Sequence, residues 1–566
     1  MHKRSKIVGL AVLIVLLTAA LFPAARLLSG GEQEDTKENR IAQTLERYRL
    51  HRAQRAYAVV EPLMEIEDAW AIEDTREESA DPLVTRMYHN GAEMGFDAQS
   101  RTFYCPLDSG EWEDWPDLEI LAGGYASGKK LRVAWIDDYT CDFCDEAIRN
   151  GYRYELLAYD DAAFEYVGIV FTGLPVVTLH VEDDGELGET YVPARVSIAS
   201  AEHAPIDCAA LTHLRGGGYS KPIEKDSYRI ELYDETAGSR SRKADLSVLG
   251  MEADSDWLLL ANAQDETAVR NYLAYDMWRR WNEDGSGLMM MDSRMVEVFV
   301  DDEYMGLYQL MQRIRPEKEI EAIGGNPNTD CMVRLVSEMN LNEKPWIDRL
   351  QTAKFLAEYR YAPDDNADRA FAEFENYVLL SRVKEEADDE TFRQMAERQI
   401  DTDNMMSYFL FMQACGLDFD NVFNNLYIWM IWKEDRYVYM VSPWDMDRGL
   451  PVPELREDGA VPSYFDMNMR LPCRMLDLNV DQSREKIWAL WEEKRSTVLS
   501  DDALNAWIMD VEEQINASGA YLRESEKWYG GAQSLNLTDM LFFEQEHMKT
   551  IEWMLRKYWS IDTPQE

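Results

Sequence analysis

In "DFDNVFNNLYIWM", four residues separate Asp420 from Asn425. That spacing lets one loop offer a carboxylate to an acceptor hydroxyl and, a short arc later, an amide oxygen to a divalent cation bridging phosphates. Further on, "SPWDMDRG" adds Asp445 and Asp447. If a strand continues through them, the two carboxylates share a face about 7 Å apart and could clasp one or two hard cations. Oxygen donors of this kind select Mg²⁺ or Mn²⁺ over zinc. Beside apolar strands such groups cost several kcal/mol unless something pairs or chelates them. The spacing alone also suits a capped loop whose side chains satisfy backbone groups, and a WDxD segment can be a solvated strand end.

The elements that must position these residues are legible around them. "LYIWMI" and "RYVYMVSP" read as a hairpin turning at Glu434-Asp435, and "RMVEVFVDDEYMGLYQLMQRI" as another turning at Asp301-Asp302. "ETAVRNYLAYDMWRRW" reads as a helix with Val269, Leu273, Ala274 and Met277 on one face. Earlier, "LVTRMYHNGAEMGFDAQSRTFYCPL" alternates around Asn90-Gly91, a hairpin signal, and short strands continue to about Glu165. From Ser483 to Trp559 the pattern is helical, broken at Gly530-Gly531. Gly216 to Gly218 could cradle a phosphate or make a tight bend.

A length of 566 residues suggests roughly two to four folding units. With 58 Lys and Arg against 106 Asp and Glu, the chain carries a net charge of -48 and no cationic face beyond clusters such as Arg240 to Lys243. Nucleic acid is therefore excluded as a partner, since it requires neutralisation of phosphates. Three cations precede an uncharged apolar run from Ile7 to Ala25. That run is long enough to span hydrocarbon and exceeds the roughly 7–15 residues of a signal-peptide core. The expectation is an uncleaved membrane anchor with the body outside the membrane; the alternative is secretion after cleavage. Seven cysteines make no disulfide framework, and the one close pair, Cys141 and Cys144, reads as two thiols or one local disulfide.

Five blocks, in order, resemble the CotH family, the spore-coat-protein-H-like secretory kinases with an atypical kinase fold. "LPVVTLHV…YVPARVSI" is similar to the family's opening strands, and "LRGGGYSKPIEKDSYRIEL" to its RGN-x-S…PKKSYRIKL block. "DWLLLANAQDETAVRNYLAYDMWRRW" resembles WxLLAN-x-x-D-x-x-x-x-RN-x-LAYDL, and "VEVFVDDEYMGLYQLMQRI" resembles VEVYLNGEYQGVYLLxE-x-I. "DFDNVFNNLYIW…SPWDMDRG" resembles D-x-x-x-x-N-x-YLY…PWDxDxxFG. The resemblance runs from about Tyr166 to Trp559.

It implies an ATP-dependent protein kinase acting with Mg²⁺ or Mn²⁺ on an exported protein, of the spore coat or cell surface. Asp420 would be the catalytic carboxylate. Asn425, Asp445 and Asp447 would be metal ligands. Lys225, at the first lysine of the PKKSYR block, would contact phosphate, with Arg215 and Arg270 as further cations of the same site; on its residue type alone Lys225 could equally be a surface lysine. Three positions depart from the family pattern: Asp226 replaces the second lysine, Gly217 the asparagine, and Gln312 a glutamate whose loss removes an ion-pair partner. Two other classes stay open, an inactive CotH-like surface scaffold and a DxD glycosyltransferase, which would need a doubly wound sheet before its DxD.

The expected architecture is α+β. It comprises an anchor over 1–28, a polar linker and helical stalk over 29–80, a small β domain over 81–165, and an atypical kinase-like domain with a helical C-terminal part over 166–560.

Overall fold

The computed structural model describes residues 58–61, 63–107, 117–122, 130–136, 144–182, 187–215, 223–234, 242–283, 288, 291–335, 357–361, 388–417, 425–451 and 469–560. The expected anchor, most of the stalk, Cys141, Gly216 to Gly218 and Asp420 lie outside them. Among the described residues no helix is long and apolar enough to cross a membrane. The fold is mixed α+β, with eleven α-helices and four sheets described.

Seven strands form the N-terminal sheet: β1 (Val59–Glu61), β2 (Glu77–Glu78), β5 (Gly95–Asp97), β6 (Thr102–Pro106), β8 (Arg132–Trp135), β9 (Arg153–Tyr159) and β10 (Ala163–Thr172). Beside it lies a small sheet of β3 (Val84–His89), β4 (Ala92–Glu93) and β7 (Leu118–Ala122). Asn90 and Gly91, at φ 51° and 77°, make the β3–β4 turn with both central residues left-handed, the geometry a two-residue hairpin needs. The domain boundary expected at Glu165 falls inside β10, which pairs along its length with β9 and β6. The run "AFEYVGIVFT" contains no turn chemistry to interrupt it, so the N-terminal sheet extends to Thr172.

The central sheet contains β11 (Val176–Val181), β12 (Val192–Ala199), β13 (Ile206–Arg215), β14 (Ser227–Asp234), β15 (Arg242–Lys243), β16 (Asp256–Leu260), β17 (Ser293–Val300) and β18 (Glu303–Gln312). Because β13 pairs with both β12 and β14, seven of these strands close into a barrel, and only β11 and β17 run parallel. Inward-facing Val177, Val196, Ala210, Ile230, Leu259 and Val298 fill it. The expected turn at Asp301-Asp302 is present, again with both residues at positive φ.

The outer face of β16 to β18 carries the second and larger core. Helices α1 (Ile66–Glu73) and α2 (Cys144–Arg149) belong to the N-terminal region, and α3 (Arg270–Trp281) follows β16. On α3, Val269 at the N-cap and Leu273, Ala274 and Met277 are buried as the periodicity predicts, joined by Trp278 and Trp281. Burial of each large side chain stabilises by about 1.5–3 kcal/mol. Next come α4 (Pro316–Ala322), the strands β19 (Cys331–Leu335) and β20 (Ala357–Tyr361), and helices α5 (Asp389–Gln399) and α6 (Thr402–Ala414). The hairpin β21 (Leu426–Lys433) and β22 (Arg436–Pro443) pairs with β19. Helices α7 (Arg470–Asp477), α8 (Ser483–Ser496), α9 (Asp501–Ala517), α10 (Ala520–Trp528) and α11 (Thr538–Trp559) complete the chain.

Two junctions weld the N-terminal sheets to the barrel. Glu93 of β4 takes Arg195 of β12 at 2.8 Å and His180 of β11 at 2.9 Å. Tyr104 of β6 stacks on Tyr304 of β18 with centroids 5.4 Å apart, beside Phe299. A Cβ on Gly95 would meet the Phe299 ring at 2.4 Å, so only glycine allows this approach. The described cysteines, Cys144 among them, are buried.

Candidate active site

The end of β22 decides how the carboxylates are displayed. The strand stops at Pro443, and Asp445 takes φ 54°, so Asp445 and Asp447 sit on a turn and not on one face of a continuing strand. This corrects the strand-borne pair expected from the sequence. The left-handed backbone at Asp445 reverses the chain there, which alternation cannot foretell. Helix α3 holds the turn from beneath: Asn271 Oδ1 accepts from the Met446 amide at 3.0 Å, and the Tyr275 hydroxyl accepts from the Asp445 amide at 3.4 Å. Asn271 and Tyr275 lie one helical turn apart on the same face. Asn271 is fixed in turn by Gln309 of β18 at 2.9 Å, and Gln309 by Ser293 of β17 at 3.0 Å. Met446 is buried, which leaves Asp445 exposed and Asp447 half-buried.

Asn425, half-buried at the entry to β21, accepts the Trp444 amide at its carbonyl, 3.0 Å away. That bond ties the start of β21 to the start of the carboxylate turn. Arg215, the last residue of β13, stacks on the Trp444 ring at 5.2 Å, with Arg334 of β19 at 5.8 Å from the same ring. Burial pulls the Arg215 guanidinium down, and the charge of Asp445 opposes that pull. Burial, then the neighbouring Asp445, pushes the Asp447 carboxyl up to about 7, with Asp265 adding to the effect and Arg448 and Arg270 opposing it.

Arg270 opens α3, and its partner is a residue the sequence reading passed over. Asp265 is buried, accepts the Arg270 amide at 2.8 Å and the Thr267 amide at 2.9 Å, and lies 3.3 Å from the Arg270 Nε. The signal was present in the "DETAVRN" block, where Asp265 stands at the aspartate of the quoted pattern.

Lys225 is fully buried, so it is not a surface lysine. Its ammonium donates to Glu524 of α10 and to the Leu307 carbonyl, both at 2.7 Å, and sits 4.6 Å from the Tyr308 ring centroid. Burial draws the lysine down and pushes the glutamate up, while each partner's charge resists the other's shift. The family glutamate absent at Gln312 therefore does not leave Lys225 without an ion pair. Gln312 instead donates to the Glu252 carbonyl at 2.9 Å.

The structure thus gathers Arg215, Asn425, Asp445 and Asp447 about the turn after β22, with Arg270 at the start of α3 beneath it and Lys225 buried in its pair with Glu524. Asp420 and the neighbouring Asp418 lie outside the described residues. Among the described residues, no group of three or more His, Cys, Asp or Glu side chains is placed to hold a metal ion. A family model of the CotH kinase protein matches residues 213–556, more than half of the chain. The chain belongs to the CotH family. A search of curated proteins finds no match. The CotH match opens near the end of β13 and closes within α11, so it contains every candidate site residue. It begins later than the resemblance read from the sequence, and leaves β11, β12 and most of β13 outside although they complete the CotH barrel.

Proposed function

We propose that this chain is an ATP-dependent phosphotransferase with an atypical kinase-like fold, moving the γ-phosphoryl group to a hydroxyl of an exported protein. In this reading Ile7 to Ala25 anchors it at the membrane with the catalytic body outside. The observation that carries the reading is geometric: helix α3, capped by Asp265, holds the Asp445–Asp447 turn through Asn271 and Tyr275, and the buried Lys225–Glu524 pair lies within the same CotH-matched span. A kinase site needs these two parts, a lysine–glutamate pair and a metal-binding aspartate.

The donors suit a hard cation. Burial and then the charge of Asp445 raise the Asp447 proton affinity, and a divalent ion would relieve the repulsion between the two carboxylates. Asp445, Asp447 and Asn425 would hold Mg²⁺ or Mn²⁺, which when bound neutralises phosphate charge. Asn271 and Tyr275 keep the two carboxylates in place. Lys225, Arg215 and Arg270 set a cationic field on the nucleotide side, and Asp420 orients the acceptor hydroxyl and receives its proton. The scaffold alternative shares this fold and differs in turnover. The barrel, with its single parallel pairing, does not provide the doubly wound sheet a DxD glycosyltransferase would need.

The test is incubation of the detergent-solubilised full chain with γ-labelled ATP and Mg²⁺ or Mn²⁺, followed by detection of labelled protein. Asp420→Asn should cut transfer by about 10²–10⁴-fold while nucleotide binding persists. Asp445→Asn should abolish metal-dependent nucleotide binding, and Asp418→Asn should be mild. Nucleotide binding without transfer under either metal would favour the scaffold. Transfer lost in Asp418→Asn and retained in Asp420→Asn would move the base.

A further inference from the structure

Helix α10 points two consecutive side chains in different directions. Glu524 reaches into the CotH site, where its carboxylate takes Lys225 at 2.7 Å and the Leu307 amide at 2.7 Å. Arg523 turns toward the seam where the barrel meets the N-terminal sheet. Its guanidinium grips Glu297 of β17 through two bonds, at 2.8 and 2.7 Å, and reaches the hydroxyl of Thr172, the last residue of β10, at 2.9 Å. Glu297 is fully buried, also accepts from the Tyr304 hydroxyl at 2.7 Å, and is held below the usual carboxylate range; burial opposes this, and Arg523 outweighs it.

The turn before α10 is seated against the same region. Gly519, at φ 69°, lies so close to α2 that a Cβ would meet the Ile148 carbonyl at 2.3 Å. Gly173, just past β10, packs on the Ser518 backbone, and Arg149 pairs with Glu513 of α9. Thr172, Ile148 and Tyr104 all precede residue 213, where the CotH match begins.

We infer that the seam between β17 of the barrel and the end of β10 in the N-terminal sheet seats α10 and thereby sets the Lys225–Glu524 pair, with Arg523 as the positioning residue. The bidentate fork fixes the rotation of α10 about its axis, and that rotation aims the neighbouring Glu524. A lysine at 523 would keep the charge and lose the fork. The functional half of this inference rests on the phosphotransfer reading; the structural half does not.

The experiment compares the full chain with Arg523→Lys, Gly519→Ala and Glu93→Gln, the last loosening the other junction, remote from α10. Two readouts are taken: acetylation of Lys225 by N-hydroxysuccinimide acetate, mapped by peptide mass, and affinity for a non-hydrolysable ATP analogue with Mg²⁺. Lys225 should be protected in the wild type and in Glu93→Gln, and acetylated faster in Arg523→Lys and Gly519→Ala. Analogue affinity should fall in those two by about 5–150-fold, the range of coupling between linked sites. Thr172→Val, which removes one hydroxyl, should show the same order at smaller amplitude if the larger changes prevent folding. Equal protection in all variants overturns the inference, as does equal exposure in Glu93→Gln, which would signal general loosening. Protection in the expected order without analogue binding by the wild type leaves the role of α10 standing and overturns the nucleotide reading.

Discussion

Asp447 is the residue whose chemistry is most open to measurement. Its carboxyl is raised to about 7, so between the ordinary carboxylate range and that value it carries a proton that a divalent cation must expel. Mg²⁺ affinity should therefore climb by about tenfold per pH unit on approach to 7 from below and level off above it. Calorimetric titration across that window checks this; a flat profile would remove Asp447 from the ligand set. Asp445→Asn takes away a cause of the shift and should move the titration of the Asp447 carboxyl itself, followed by carboxyl NMR without metal, to lower pH. At this scale the sequence was informative about residue types and their neighbourhood: Arg215, Asn425, Asp445 and Asp447 do meet. It could not show that Asp445 adopts a left-handed backbone, because that conformation depends on the bonds α3 makes to the turn. Nor could it show that Lys225 is answered by Glu524, since the two stand 299 positions apart.

At the scale of elements, α3 works as the bed of the site. One end is fixed by Asp265, its buried face presents Asn271 and Tyr275, and the carboxylate turn lies across them. Asn271→Leu removes the acceptor for the Met446 amide and the donor for Gln309, leaving two buried polar groups without partners at about 1–3 kcal/mol each. The expected result is a lower melting temperature together with a larger loss of metal-dependent nucleotide affinity. Asn271→Asp keeps an acceptor for Met446 and should recover part of that affinity. Equal affinity in Asn271→Leu and wild type would show that the turn holds its shape unaided. The hairpins at Asn90-Gly91, Asp301-Asp302 and Glu434-Asp435 were readable because their turn chemistry is local. The extent of β10 was misread because aromatic and β-branched residues run through position 165 without punctuation.

Across the whole molecule, the N-terminal sheets and the barrel share buried charges. Burial alone would raise the Glu93 carboxyl, but the hydrogen bond from His180 and the charges of Arg195, His180 and Arg86 hold it at about 2. A depressed carboxylate stabilises above its unfolded value of 4.5 and loses that stabilisation as pH falls toward 2. The depression corresponds to something on the order of 3 kcal/mol near neutral pH. Glu93→Gln should thus melt well below the wild type near pH 7, with the gap closing as the solution is acidified; thermal melts at several pH values check this, and a constant gap would mean that packing, not charge, governs the junction. That the two regions are welded was not visible in the sequence, where each reads as a separate domain with its own alternation. Barrel closure also bears on how such a chain can be inherited. A gene fragment trimmed to the matched span would lose the strands that pair β17 and β14, exposing two raw sheet edges to other copies. Recombination that shuffles this CotH region between proteins must carry at least the strands from Val176 onward, and the contacts of α10 favour keeping the N-terminal sheets with them.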